Sequence, residues 1–282
     1  MHSELFSIGA LTVHWYGVMM ALGFFLGLWN WVLVGRRDGR TFNFCSDLLF
    51  WIMLSGILGA RVAYVLAEWE HFSANPVEIF WIHRGGLIYY GGFIGSGIAI
   101  FLFAKHHKQE LVALLDFALT AVPLAHAMGR IGCFMNGCCY GKICELPIGV
   151  RFPAQSAVWR DHVYSGEILR FTKASLPVHP VQIYEALFNL ALYAVVIWHY
   201  RTRKHNGSTI ALYLLVYPVG RFCLEFFRGD DRVRWWGMSV AQVVSIFLFT
   251  VGLFFLFRSR KAGALCDSRQ TQKAPEVEST SG

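Results

Sequence analysis

The sequence predicts an all-α, polytopic integral membrane protein of about seven transmembrane helices, and three observations carry that expectation. Only 15% of the 282 residues are charged and 55% are hydrophobic, whereas soluble domains carry about 25% charge. Several apolar stretches reach the roughly 20 residues that a helix needs to cross a bilayer core. Lysine and arginine also gather in alternate loops, the pattern of a chain threaded back and forth through a membrane. A mean hydropathy of +0.45 agrees. The charges that should mark one face of each helix in a soluble protein are missing.

The expected spans lie near 12–34, 47–67, 87–104, 111–129, 181–200, 209–226 and 238–257. The opening Met1-His2-Ser3-Glu4 lacks the basic region of a cleavable signal, so the first apolar segment is expected to remain in the protein. The third span is short and rich in glycine (Gly91, Gly92, Gly95, Gly97), which favours close helix packing in lipid as much as it hints at a site. Spans four and five are joined by residues 130–180, which carry Pro147, Pro153, Pro177 and Pro180. A small extracytoplasmic subdomain over about 140–178 is expected there, within a transmembrane domain of residues 1–261. Residues 262–282 have the composition of a disordered cytoplasmic tail.

Orientation follows from the basic clusters. Arg36, Arg37 and Arg40 follow the first span, Lys105 and Lys108 the third, Arg201, Arg203 and Lys204 the fifth, and Arg258, Arg260 and Lys261 the seventh. All four fall on one side, which the positive-inside rule makes cytoplasmic. The N-terminus is then outside and the C-terminus inside. The +7 net charge is explained by these helix-end clusters, so no nucleic acid is expected as a partner.

Ionisable groups within a bilayer are costly and mark candidate functional sites. Three clusters qualify. In Gly129-Arg130-Ile131-Gly132-Cys133-Phe134-Met135-Asn136-Gly137-Cys138-Cys139-Tyr140-Gly141, Arg130 sits at the outer end of span four among glycines that allow a ligand close to the backbone. A planar guanidinium is the preferred fork for phosphate; an arginine at this depth equally suits snorkelling to lipid headgroups. In Gly220-Arg221-Phe222-Cys223-Leu224-Glu225-Phe226-Phe227-Arg228-Gly229-Asp230-Asp231, Arg221 and Glu225 are spaced i,i+4 and can neutralise each other, which leaves Arg228 over. In His179-Pro180-Val181-Gln182-Ile183-Tyr184-Glu185, Pro180 suits a first helical turn, and Gln182 and Glu185 share a face directed into a bundle. That segment suits a helix entry with satisfied polar groups better than a site. Asp116 and Arg61 are further buried charges, either of which can simply pair with another helix. Arginines at the outer ends of different spans suggest one shared anion, and in a bilayer a phospholipid headgroup is the economical choice.

Four of the seven cysteines fall within twelve residues, as Cys133-x4-Cys138-Cys139-x4-Cys144. A zinc pattern with paired C-x2-C is missing, so no metal and no cofactor are expected. A disulfide or plain small-residue packing is the expectation, and the vicinal Cys138 and Cys139 could not bond each other without strain.

Taken in order, these segments resemble the prolipoprotein diacylglyceryl transferase family over most of residues 10–260. The matching stretches are His14-Trp15-Tyr16-Gly17, Gly59-Ala60-Arg61-Val62-Ala63-Tyr64, Arg84-Gly85-Gly86-Leu87 with Tyr90-Gly91-Gly92, and the Gly129–Gly141 signature. His179–Glu185 and Arg221-x3-Glu225-Phe226-Phe227-Arg228 complete the set. Tyr90 stands where the family has a histidine, and Cys133 and Cys138 replace an asparagine and a glutamate of the signature, while Arg130 and Asn136 are kept. The resemblance implies a multi-pass enzyme of the bacterial inner membrane that acts on phosphatidylglycerol and prolipoprotein lipobox peptides among membrane lipids. The lipobox cysteine sulfur would attack the glycerol carbon bearing phosphate, giving a thioether and glycerol 1-phosphate.

It further implies Tyr90, Arg130 and Arg221 as catalytic residues. Arg130, Arg221, Tyr16, Asn136, Gln182, Glu185, Glu225 and Arg228 would bind the lipid. A free thiol is already a few per cent ionised near neutrality (pKa about 8.5), so Tyr90 is expected to donate a hydrogen bond, not to act as a base. The competing class is a phospholipid-binding or transport protein without chemistry. A protease built on Ser96 lacks a partner histidine at matching depth, and His126, the nearest, is expected to pack.

Overall fold

A computed structural model describes residues 4–8, 11–82, 85–230, 234–235 and 237–271. In chain order the elements are β1 (Glu4–Ile8), β2 (Leu11–His14), α1 (Trp15–Gly35), α2 (Phe42–Ala67), α3 (Trp69–Ala74), α4 (Tyr89–His106), α5 (Leu111–Leu119), α6 (Val122–Asn136), α7 (Ala157–Tyr164), α8 (Val181–Thr202), α9 (Ser208–Glu225), β3 (Arg234–Trp235), β4 (Met238–Ser239) and α10 (Val240–Thr271). The strands form only two antiparallel hairpins, β1–β2 and β3–β4. The architecture is that of an all-α membrane protein. Among the described residues, five segments are long and apolar enough to cross a bilayer: Trp15–Asp38, Phe42–Ala67, Leu111–Asn136, Val181–Thr202 and Val240–Arg258.

The third and sixth expected spans are present as α4 and α9 but fall outside that set. Glycines and the terminal Lys105 and His106 dilute α4, and Pro218, Arg221 and Glu225 dilute α9. Two boundaries also differ from expectation. Span four runs to Asn136, which puts Arg130 inside a helix instead of at its end. Helix α10 continues to Thr271, past the start of the expected tail at 262. Residues 272–282, Arg84 and Asp231 lie outside the described residues.

The chain divides into two compact units, Met1–Gly23 with Val122–Gly282, and Phe24–Ala121. In the second unit α2 packs on α4, and glycine is what permits it. A Cβ on Gly59 or Gly91 would run into the opposite helix's backbone or Ala63, and one on Gly95 into the Ser55 carbonyl. Close helix packing, one of the two expectations for this Gly-rich segment, is what these contacts show. Ser96 Oγ donates to the Ile52 carbonyl at 3.2 Å, a structural bond across the same seam.

Arg61 is held by backbone carbonyls, two of them in the short 3-10 helix Pro76–Phe80, and makes no ion pair among the described residues. It donates to the carbonyls of Ile79 (2.9 Å), Glu78 (2.6 Å), Gly85 (2.9 Å) and Gly86 (3.1 Å), under the rings of Tyr64 and Phe72. It pins the loop before α4. Asp116 is fully buried in α5.

In the first unit α6 packs on α8, α8 on α9 and α9 on α10. Between α6 and α8 the chain forms a small irregular layer around α7. Its core is Tyr140, Phe152, Val158 and Val178, with Phe134 and Val150 packed against them.

Candidate functional site

Three of the sequence segments singled out above meet in the first unit, and backbone hydrogen bonds hold them there. Gly141 N–H donates to the His179 carbonyl (3.0 Å), and His179 N–H to the Lys142 carbonyl (2.9 Å). On the other side, Lys142 N–H donates to the Phe227 carbonyl (2.8 Å) and Gly229 N–H to the Tyr140 carbonyl (3.1 Å). The cysteine-rich loop is thus the middle strand of a short three-stranded ladder, with the entry to α8 on one side and the turn after α9 on the other. The approach requires glycine. A Cβ on Gly141 would meet His179 and Val181 at 2.6 Å, and one on Gly229 would meet the Gly141 carbonyl at 2.5 Å.

The ladder brings three arginines to one carboxylate. Glu185, in the second turn of α8, is 1% exposed. Its Oε1 stands 3.0 Å from Arg130 Nη2 on α6 and 3.7 Å from Arg221 Nε on α9, and its Oε2 stands 3.9 Å from Arg228 Nη1. None of these contacts has good hydrogen-bond geometry, so both carboxylate oxygens and Arg228 Nη1 are buried within ion pairs but without hydrogen bonds. Charge balance, not directional bonding, holds Glu185 here. Arg221 also pairs with Glu225 at 2.5 Å.

The reading that left Arg228 over is overturned. Asp230 receives it bidentately, Nε to Oδ1 at 2.9 Å and Nη2 to Oδ2 at 2.8 Å. Burial works against the Arg228 charge, but Asp230 and then Cys139 outweigh it and hold the guanidinium above its ordinary range. His126, expected merely to pack, accepts from Arg130 Nε at 3.1 Å and lies 3.6 Å from Glu185 Oε1. Accepting at Nε2 requires a neutral ring.

The remaining candidates surround this cluster. Gln182 is buried and donates to the Cys138 carbonyl at 2.7 Å. Asn189, one turn beyond Glu185, donates to the Glu185 carbonyl at 2.7 Å. Tyr16 is 42% exposed and lies against Gly132, whose added Cβ would stand 3.2 Å from its ring. Exposed Asn136 faces the Cys138 thiol. A cavity of about 120 Å³ borders the cluster, lined by Lys142, Glu225, Arg228, Asp230 and Gln242 among others. Tyr90 belongs to the other unit, where it lies in the first turn of α4 and is 57% exposed.

Of the two expectations for the cysteines, a disulfide or plain packing, the described residues show no disulfide. Cys45, Cys133, Cys138, Cys139, Cys144 and Cys223 are all free, and no disulfide closes the cysteine-rich loop. The thiols of Cys133, Cys138 and Cys139 converge within 4.8 Å of one another. Two left-handed residues make that possible, Gly137 (φ 68°) and Cys139 (φ 63°), which turn the chain back on the end of α6. Hydrogen bonds from Cys133 and Cys138, and the adjacent Arg228 charge, hold the Cys139 thiol below its usual range.

Residues 3–258 match the family model described as prolipoprotein diacylglyceryl transferase. The chain belongs to that family. Among similar proteins, the phosphatidylglycerol–prolipoprotein diacylglyceryl transferase of Clostridium tetani is 32% identical over 90% of this chain and 96% of its own length. Those of Idiomarina loihiensis and Xanthomonas euvesicatoria are 33% and 34% identical, covering 90% and 92% of this chain and 91% and 92% of their own lengths. The ladder is therefore a feature of a diacylglyceryl transferase chain, with a tyrosine and two cysteines at positions where the family resemblance leads one to expect other residues.

Sequence reasoning missed His126, Asn189 and Asp230. His126 is four residues before Arg130 on the same helix, and Asn189 extends the Gln182–Glu185 face by one turn, so helical spacing held the signal for both. Asp230 is contributed by a turn, where no such period applies.

Proposed function

We propose that this chain transfers the diacylglyceryl group of phosphatidylglycerol to the lipobox cysteine of prolipoproteins, forming a thioether and releasing glycerol 1-phosphate. On this reading it is a multi-pass protein of the bacterial inner membrane with seven crossings, α4 and α9 included, its N-terminus outside and its C-terminus cytoplasmic.

The observation that carries the proposal is the convergence of Arg130, Arg221 and Arg228, from different elements, on buried Glu185. Glu185 acts as a positioning residue that keeps three guanidiniums aimed at one volume. Arg130, Arg221 and Arg228 face Glu185, Glu225 and Asp230, and Lys142 lines the adjoining cavity. As the C–O bond breaks, negative charge grows on the departing phosphate, and fixed cations in a low-dielectric site stabilise it most there. Arg130 and Arg221 would supply this stabilisation, while Tyr16, Asn136, Gln182, Glu225 and Arg228 shape and anchor the headgroup site. Tyr90 would donate a hydrogen bond to phosphate or glycerol.

The test uses purified protein in detergent with phosphatidylglycerol and a lipobox peptide. The peptide should gain the mass of a diacylglyceryl group, with stoichiometric free glycerol phosphate. Lipid binding without either product would instead favour a non-catalytic lipid-binding or transport protein.

A further inference from the structure

The three converging thiols are more than a replacement for the signature's polar residues. Three atoms no more than 4.8 Å apart all lie within about 2.8 Å of some common point (4.8/√3), against a Zn–S bond of about 2.3 Å. Side-chain shifts of about half an ångström would close the shell. The three are also half-buried, so a fourth ligand can reach the open position. A divalent ion with three thiolates carries one negative charge, and the Arg228 guanidinium faces Cys139 to offset it. The same Arg228 reaches Glu185, so the thiol cluster and the guanidinium cluster share a residue.

We propose that Cys133, Cys138 and Cys139 form a three-thiolate zinc site whose fourth position takes the cysteine sulfur of the incoming peptide. The proposal rests on the transferase reading above. Zinc is redox-inert, and its catalytic sites keep three protein ligands and one exchangeable position. A thiol that coordinates it gives up its proton, here to water. The bound sulfur's electron pair then forms the C–S bond. The C–O bond to phosphate breaks, and its electron pair leaves with glycerol phosphate, on the side where Arg130, Arg221 and Arg228 stand. The metal changes neither charge nor oxidation state. This answers a question left by Tyr90 at the histidine position: the nucleophile can be ionised without a protein base.

The zinc content of the full-length protein, purified in detergent without chelator, tests the site, together with X-ray absorption at the zinc edge with and without a lipobox peptide and no lipid. One zinc per chain with three sulfur neighbours, rising to four on adding peptide, is the expected result. Exposed Cys223 lies outside the cluster, and Cys223→Ser should keep the metal. Cys133→Ser and Cys139→Ser should lose it while retaining the helical signal of the parent. Cobalt(II) in place of zinc should give a thiolate charge-transfer band that intensifies with peptide.

Removing zinc should slow transfer near pH 7 by up to about 30-fold, the inverse of the few per cent of free thiol that is ionised there, and zinc should restore it. A metal-free protein with full transfer would overturn the zinc proposal and leave the transferase reading standing. So would a disulfide among the three cysteines, or a sulfur count that stays at three with peptide bound. A zinc site that gains the peptide sulfur but yields no product with phosphatidylglycerol would support the site and sink the transferase reading.

Discussion

Arg61 in one unit and Arg130 in the other are arginines set in apolar helices, yet their partners differ in kind. Arg61 directs its donors at four backbone carbonyls of the loop before α4. Those partners are neutral, fixed and already oriented, so no anion is needed and none has reason to displace them. Arg130 meets a carboxylate that also faces Arg221 and Arg228, at distances from 3.0 to 3.9 Å. A guanidinium shared within such a set can exchange part of its interaction for a phosphate while the carboxylate keeps its other guanidinium neighbours. The difference separates an arginine bonded to neutral carbonyls from one set among charges, which the rarity of membrane arginines alone does not do.

The sharpest way to break this comparison is at its anionic hub. Glu185→Ala would leave Arg130 without its carboxylate, while Arg221 keeps Glu225 and Arg228 keeps Asp230, and removing one partner of a buried ion pair costs about 3–5 kcal/mol. Denaturant unfolding in detergent should show that loss, and transfer should fall with it. A variant as stable as the parent would mean that water already screens the cluster.

Next comes Arg130→Ala. If Arg130 stabilises the departing phosphate, kcat/KM should fall about 10²–10³-fold, or about 2.7–4 kcal/mol, by analogy with the loss of an oxyanion donor. Arg130→Lys keeps the charge but not the planar fork and should recover only part of it. Peptide mass gain measures both. Full activity in Arg130→Ala would remove the residue from the chemistry.

The counterpart is Arg61→Ala. Bonds from a charged donor are worth about 1.5–3 kcal/mol each, though loop carbonyls freed here can turn to water. A loss of about 2 kcal/mol in stability is expected, with transfer per folded molecule falling far less than in Arg130→Ala. Loss of transfer at parental stability would erase the distinction between the two arginines.

How far the sequence foretold this molecule depended on the range of the interaction concerned. Hydropathy and the glycines of α4 are local properties, so the helices and the α2–α4 seam were legible. The arginines could be listed because a bilayer makes each of them conspicuous. Their meeting point could not, since it rests on the ladder that joins residues 140–142 to 178–180 and 227–229, and backbone bonds leave no trace in side-chain pattern. The cysteines show the same limit more sharply. Spacing without C-x2-C argues against a metal site, but it assumes ordinary backbone angles. Left-handed Gly137 can be anticipated from its residue type, whereas left-handed Cys139 cannot, because residues with a Cβ seldom adopt that conformation.

The smallest effect is expected at Tyr90, and it probes the other side of the comparison, since Tyr90 lies in the unit of Arg61. Its hydroxyl is assigned one hydrogen bond, worth about 0.5–1.5 kcal/mol to glycerol and about 1.5–3 kcal/mol to phosphate, so Tyr90→Phe should lower kcat/KM by about two- to tenfold in the first case and by about 10²-fold at most in the second. A tyrosine acting as base would lose far more, because phenylalanine has no proton site at all. If Tyr90→Phe falls as steeply as Arg130→Ala, the unit holding Arg61 takes part in chemistry, and ionisation of the thiol must be assigned to Tyr90. If the loss stays small, ionisation belongs to the peptide thiol itself or to the three cysteines, and the chemistry stays with the arginine-bearing unit.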